Sequence, residues 1–349
     1  MIARRKSKKI NIGNVAVGGD APISVQSMCN TDTRDIKATV RQIQELTDAG
    51  CEIIRVAVLD KQAAQAIGEI KKQIKIPIIA DIHFDYRLAI EAINQGVDAL
   101  RLNPGNIGRR EFVEKVTTLA KEHQTPIRIG INTGSLEKEV QKLDLNLPEK
   151  MVLSAKKHIE ILESLDFDLI KVSLKSSSVT TMIEAYELLA KEIDYPLHLG
   201  VTEAGTMKGG LIKSAVGIGV LLNEGIGDTI RVSLTENPVE EVFAGFEILK
   251  ALKLRQKGIN FVSCPTCGRC KYDLIGLAKK VEDKFKNVDK NLTLAVMGCP
   301  VNGPGEAKNA DIGVAGGEGF VYIFKKGEII MKSPENEVLS VLEKLIDEI

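Results

Sequence analysis

Along the first two thirds of the chain, short runs of Ile, Val and Leu alternate with longer stretches in which apolar residues recur every three or four positions. The runs fall at 23–28, 52–58, 76–83, 99–103, 126–132, 168–175, 196–203 and 229–234. Near-continuous apolar strands separated by amphipathic segments predict parallel strands, each followed by a helix that covers the sheet. The run starts lie 23 to 42 residues apart, which leaves room for one helix in each connection. In 35–49, Ile36, Val40, Ile43 and Leu46 share one helical face and Gly50 is the stop. Asn237 is an N-cap with Pro238 at the first helical position and Glu240 three residues on, and that helix is expected to run to about 256, with Gly258 ending it. Eight such units predict an α/β fold with a closed (β/α)8 TIM barrel over 1–257. An open doubly wound sheet is the alternative for the same pattern.

Residues 258–349 read differently. A cysteine-rich entry precedes a helix at 272–285, apolar runs at 292–297, 311–315 and 320–331, and a final helix from about 335. Lys325, Lys326 and Gly327 break the third run as a hairpin turn would, so a small α+β domain is predicted.

The polar residues at the strand ends are not required by packing. The second strand carries Arg55 and the third ends in Asp81 and His83; the fourth carries Arg101 and Asn103, and the fifth Arg128 and Asn132. The sixth holds Lys171, Ser173 and Lys175, the seventh ends at Glu203, and the eighth carries Arg231 and Ser233. In a TIM barrel these are the positions that meet the substrate. A single strand arginine commonly pairs with a carboxylate. Six cations (Arg55, Arg101, Arg128, Lys171, Lys175 and Arg231) exceed the carboxylates available beside them, and each buried ion costs several kcal/mol without counter-charge. A phosphate or diphosphate ligand supplies that charge. The Gly-rich segment from Gly205 to Gly210, after the seventh strand, sits where barrels often bind phosphate.

Composition narrows the class. Lys plus Arg number 47 and Asp plus Glu 47, so no global field favours nucleic acid or a membrane surface. Tryptophan is absent and aromatics are 4%, which speaks against base-stacking platforms. The basic N-terminus is followed by no apolar signal region, and no run is long enough to span a bilayer. A cytoplasmic location is expected, and with it reduced thiols.

The six cysteines then point to a metal or to catalysis. Cys264, Cys267 and Cys270 are spaced by two residues, and Cys299 follows before a proline. This spacing suits an iron–sulfur cluster; structural zinc is the alternative, although Cys299 lacks the partner of a second zinc knuckle. Cys29 and Cys51 read as buried barrel cysteines.

These residues carry a resemblance. Val25-Gln26-Ser27-Met28, Ala80-Asp81-Ile82-His83, Arg101-Leu102-Asn103-Pro104-Gly105-Asn106, Arg128 to Asn132, Val201 to Gly205, Arg231-Val232-Ser233, Cys264 to Cys267 and Met297 to Ala307 occur in this order over nearly the whole chain. In them the chain resembles the two-domain bacterial 4-hydroxy-3-methylbut-2-enyl diphosphate synthases (IspG, or GcpE) of the non-mevalonate (MEP) isoprenoid pathway. The resemblance implies an oxidoreductase that reductively opens and dehydroxylates 2-C-methyl-D-erythritol 2,4-cyclodiphosphate, with electrons from flavodoxin or ferredoxin passing through a [4Fe–4S] cluster. It implies Cys264, Cys267, Cys299 and Glu306 as cluster ligands, with Cys270 competing for the fourth place. It also implies Arg55, Arg101, Arg128, Asn132, Lys171, Arg231 and Ser233 as diphosphate ligands, and Asp81, His83 and Asn103 around the erythritol. Glu203 is the candidate acid for the departing hydroxyl. A non-redox, pterin-binding type of barrel synthase with structural zinc is the rival reading.

Chain geometry adds one expectation. The helix after the eighth strand runs back to the face opposite the site, and a short connection then opens the cysteine domain. The cluster serving a barrel is therefore expected from a second subunit, in a head-to-tail homodimer.

Overall fold

The structure is a computed structural model describing residues 3–270, 272–299, 305, 307–317 and 319–349. Its contacts divide the chain into two units, Met1–Arg255 and Gln256–Ile349.

The first unit opens with a hairpin of β1 (Ile10–Ile12) and β2 (Val15–Val17). Eight parallel strands follow: β3 (Ser24–Met28), β4 (Ile53–Ala57), β5 (Ile78–Asp81), β6 (Ala99–Arg101), β7 (Ile127–Asn132), β8 (Ile170–Lys175), β9 (His198–Leu199) and β10 (Thr229–Ile230). Each of the eight apolar runs contains one of them. The sheet runs β8-β7-β6-β5-β4-β3-β10-β9, and a parallel bridge between Val172 and Leu197 joins its two ends. The barrel is closed, and the open-sheet alternative falls.

Helices α1 (Ile36–Asp48), α2 (Lys61–Lys71), α3 (Tyr86–Asn94), α4 (Arg110–Glu122), α5 (Lys138–Gln141), α6 (Leu147–Glu163), α7 (Val179–Ala190), α8 (Met207–Asn223) and α9 (Pro238–Ala251) fill the connections. Asp35, Asp60, Asp85, Asn146, Ser178 and Asn237 cap six of them by accepting backbone N–H bonds. Helix α9 stops short of the expected 256, because Lys253 turns into the left-handed region at φ 54°.

Strand periodicity sorts the barrel into two chemistries. Outward positions such as Ile54, Ile78, Leu100, Ile129 and Val172 pack against Ile43, Ile67, Ile93 and other helix residues. Inward, Ile53, Ile79 and Ala99 pack with Ile10, Ile12 and Val17 of the hairpin, which closes the barrel beneath the strand starts. Two residues further along the same strands, on the same side by the period of two, stand Arg55, Asp81 and Arg101. The interior is apolar at the N-terminal end and charged at the C-terminal end.

The second unit is a five-stranded mixed sheet in the order β11 (Asn260–Ser263), β12 (Thr293–Met297), β13 (Ile312–Gly316), β14 (Phe320–Lys325) and β15 (Glu328–Pro334). Its first three strands are parallel and the rest antiparallel. Helices α10 (Leu274–Phe285) and α11 (Val338–Asp347) contribute Leu277, Val281, Leu342 and Ile346 to its core. The β14–β15 hairpin turns at Lys326 and Gly327, both with positive φ. Strand β11, which leads directly into the cysteines, gave no sequence signal.

Candidate active site

The charged end of the barrel is built around Asp81. Its carboxylate lies 3.6 Å from Arg55 Nε and accepts a hydrogen bond from Arg101 Nη1 at 3.2 Å. His83 Nε2 stands 3.7 Å away at the exposed rim. Burial alone raises the Asp81 pKa, but Arg55, Arg101 and Arg128 outweigh it and hold the group below the usual carboxylate range. Arg101 also donates to Gly130 O at 3.2 Å. A Cβ on Gly130 would stand 2.7 Å from Arg101 Nε, so only glycine lets the guanidinium lie across β7.

The other cations have less compensation. Arg128 is fully buried and donates to Ser173 Oγ at 3.0 Å, while its Nε and Nη2 have no protein partner. Lys171 Nζ is buried without a partner. Burial, reinforced by neighbouring guanidiniums, pushes the pKa of Arg128, Lys171 and Lys175 well below their ordinary values and that of Arg55 to about 10. Arg231 Nη2 meets Glu241 at 3.2 Å, and the Met28 sulfur accepts from Arg55 Nη2 at 2.9 Å. Among the described residues, two carboxylates, Asp81 and Glu241, pair with these six cations, and Asp228 acts on Lys171 as a third, more weakly. The unmatched charge makes a preorganised site for a multiply charged anion.

Register sets the depth of each group. Arg128 pairs with Lys171, and Asn132 with Lys175, two layers nearer the C-terminal end, with Gly130 and Ser173 between them. Both lysines are buried and lie on the inward side of β8, the side that Arg128 and Asn132 take on β7. Asn103 exchanges two hydrogen bonds with the Gly130 backbone, at 2.9 and 2.8 Å, which fixes its amide beside Arg101. Ser233 is half-buried just beyond β10. Glu203 is exposed beyond β9 with φ 52°, a left-handed conformation that side-chain-bearing residues adopt at a cost and that recurs at functional sites.

Sequence reasoning missed Glu241, which accepts from Leu234 N and Arg231. A signal existed, since Glu241 shares the buried face of α9 with Pro238, Val242, Gly245 and Leu249. His198 was also missed: it is fully buried, its Nδ1 lies 2.7 Å from Thr229 Oγ1, and burial with Arg128 and Lys175 keeps it neutral.

In the second unit, Cys264 Sγ accepts the Gly298 N–H at 3.0 Å. A Cβ on Gly298 would lie 3.3 Å from Cys264 Sγ and 3.4 Å from Cys270 Sγ, so those two thiols flank the same glycine. Cys267 is exposed, and the Arg269 N–H, helped by its guanidinium, lowers the thiol pKa. Cys299 is half-buried, and Glu306 lies outside the described residues. Among the described residues no three Cys, His, Asp or Glu side chains converge on one point. The donor set nevertheless fits a soft thiophilic centre: thiols from two loops, one receiving an N–H and one biased towards thiolate. Cys29 and Cys51 are buried in the barrel, where desolvation pushes both thiols up to about 12.

A barrel with a polycationic mouth, followed by a cysteine-bearing α+β unit, defines a narrow class. The GcpE TIM-barrel domain family matches residues 7–246 and the GcpE protein C-terminal domain family residues 260–348; the chain belongs to the GcpE family. It is 60% identical over 347 residues to the 4-hydroxy-3-methylbut-2-en-1-yl diphosphate synthase (flavodoxin) of Geobacter sulfurreducens, covering 99% of this chain and 98% of that one. The enzyme of the same name from Ruminiclostridium cellulolyticum is 57% identical, covering 99% of both chains. Among solved structures, dihydropteroate synthase from Stenotrophomonas maltophilia matches with a TM-score of 0.54 at 12% identity, over 71% of this chain and 98% of that one. That likeness is one of fold alone, and the pterin-binding alternative is not favoured.

Proposed function

We propose that the barrel binds 2-C-methyl-D-erythritol 2,4-cyclodiphosphate and that the protein reduces it to (E)-4-hydroxy-3-methylbut-2-enyl diphosphate, as the name of its relatives suggests. The reaction takes up two electrons and two protons, opens the ring and releases the C3 hydroxyl as water. The observation that carries this reading is the excess of cations over paired carboxylates at the closed barrel's C-terminal end, which a diphosphate would complement.

Arg55, Arg101, Arg128, Asn132, Lys171, Lys175, Arg231 and Ser233 hold the diphosphate. Anion binding returns charge to Lys171 by supplying the partner its Nζ lacks. Asp81, held ionised by its arginines, orients the erythritol hydroxyls with His83 and Asn103. Glu203 delivers the proton to the departing hydroxyl from its exposed loop.

Cys264, Cys267, Cys299 and Glu306 would hold a [4Fe–4S] cluster, with Cys270 the alternative fourth ligand. Bound there, the cluster supplies electrons one at a time from flavodoxin, the donor in the relatives' name, or from ferredoxin. All six cysteines are free, in keeping with a reducing cytoplasm, and no helix among the described residues is long and apolar enough to cross a membrane.

A head-to-tail homodimer is the assembly proposed with this reaction, and the end of the barrel chain supports it. Arg255 Nη1 donates to Ile23 O at 2.9 Å and binds Glu52 at 2.7 Å, both just before strands β3 and β4 and therefore opposite the catalytic end. Residues 256–259 span at most roughly 14 Å before β11 begins. A second copy supplies the cluster.

Anaerobic turnover of the cyclic diphosphate with reduced flavodoxin tests the reading. Purified protein should be brown, carry about four irons per chain, and form the diphosphate product. Colourless protein with stoichiometric zinc and no turnover would sink it.

A further inference from the structure

Helix α6 carries a buried histidine that touches no substrate-facing group, yet it joins the two segments that leave β6 and β7. His158 is 2% exposed. Its Nδ1 accepts the backbone N–H of Gly105 at 3.0 Å, and its Nε2 lies 2.7 Å from Glu137 Oε1. Gly105 lies in the 3-10 turn Pro104–Asn106, directly after Asn103. Glu137 follows the turn Thr133–Ser135, directly after Asn132.

The tautomer follows from the donors. A backbone N–H can only donate, so Nδ1 is the acceptor, the ring proton sits on Nε2, and it is donated to Glu137. The hydrogen bond from His158 outweighs burial and lowers the Glu137 carboxyl to about 2, with Ser154, one turn earlier on α6, adding a smaller contribution. Glu137 is the N-cap residue of α5 yet makes no side-chain cap bond; its carboxylate is turned to α6 instead. Gly105 is shaped for the ring, because a Cβ there would meet His158 Cε1 at 2.6 Å.

We propose that His158 is a positioning residue of the active site: its neutral imidazole ties the Asn103–Asn106 segment to the Asn132–Glu137 segment and thereby sets the spacing of Asn103 and Asn132. The role rests on the substrate site proposed above. Displacement of either loop by about 1 Å misplaces a substrate-binding amide, which is enough to change binding strongly.

Two substitutions split the bridge. Asn places an amide oxygen near the Nδ1 position, and Gln places an amide nitrogen near the Nε2 position. His158→Asn should keep the Gly105 bond and lose Glu137, and His158→Gln should do the reverse. Gly105→Ala attacks the same contact from the loop side. In anaerobic kinetics with the cyclic diphosphate, His158→Gln and Gly105→Ala should raise KM about tenfold or more with a smaller change in kcat, and His158→Asn should recover part of the loss. Hydrogen exchange of the peptide spanning 103–110 provides a readout independent of turnover: protection should fall in His158→Gln and be retained in His158→Asn. Folded variants with unchanged KM, or with lowered melting temperature alone, would overturn the positioning role. Should the wild type not turn over this substrate, the functional reading fails separately. Exchange over 103–110 that is identical in all proteins would then still overturn the bridge.

Discussion

The barrel end and the cysteine loops present their polar side chains in opposite ways. At the barrel end the groups stand on strands, are buried, and are fixed by neighbours such as Asp81, Glu241 and Gly130. The cost is electrostatic, since Arg128, Lys171 and Arg231 carry buried nitrogens with no hydrogen-bond partner. In the second unit the thiols stand on loops at the ends of β11 and β12, and Cys267 is exposed. Little charge is buried there, and the proposed cluster would complete the geometry. A rigid scaffold can store repulsion between fixed groups, whereas thiols on loops can rearrange to suit a bound metal.

The sharpest way to break this contrast is at Cys267. Cys267→Ser should abolish turnover and strip most of the iron, while pyrophosphate binding, read by calorimetry, remains as in the wild type. Loss of both would show that the two sites are not independent. Next in size is Glu203→Gln, expected to lower kcat by about 10²- to 10⁴-fold with a saturating artificial reductant, because a neutral amide delivers no proton. Turnover close to the wild type would remove Glu203 from the mechanism.

Arg128→Met sharpens the electrostatic side. Substrate affinity should fall about 10²-fold, whereas the substrate-free protein should become more stable by about 1–4 kcal/mol, as when a buried unpaired charge is replaced by an apolar side chain. A variant that loses both affinity and melting temperature would mean that Arg128 is already compensated. The smallest effect is a pH slope. Lys171 and Lys175 have folded pKa values well below 10.5, so between those values and 10.5 the unfolded chain binds more protons. Stability of the substrate-free barrel should therefore rise with pH across that window, by at most about 1.4 kcal/mol per pH unit per lysine. Saturating pyrophosphate should flatten the slope by keeping both amines charged.

How much of this could be read in advance differs between elements. The eight strands were legible because buried parallel strands need uninterrupted apolar residues. The β1–β2 hairpin was not, since three-residue strands are too short to establish a period. Strand β11 is half-exposed and carries no alternation. The strand-end cations were legible because packing does not require them. Their order in depth was not: Lys171 and Lys175 look alike along the chain, and only the pairing of β8 with β7 sets one beside Arg128 and the other beside Asn132.

The number of crossings, the charges spaced along the strands and the thiols at two-residue intervals are thus properties of the chain's own pattern. Backbone geometry imposes those periods locally, so they can be seen locally. Only the tertiary structure decided that Asp81 sits between Arg55 and Arg101, that Glu241 on α9 supports Arg231, and that His158 links the segments after β6 and β7. Those partners lie between 10 and 53 residues apart, and closing the barrel is what brings them within bonding distance.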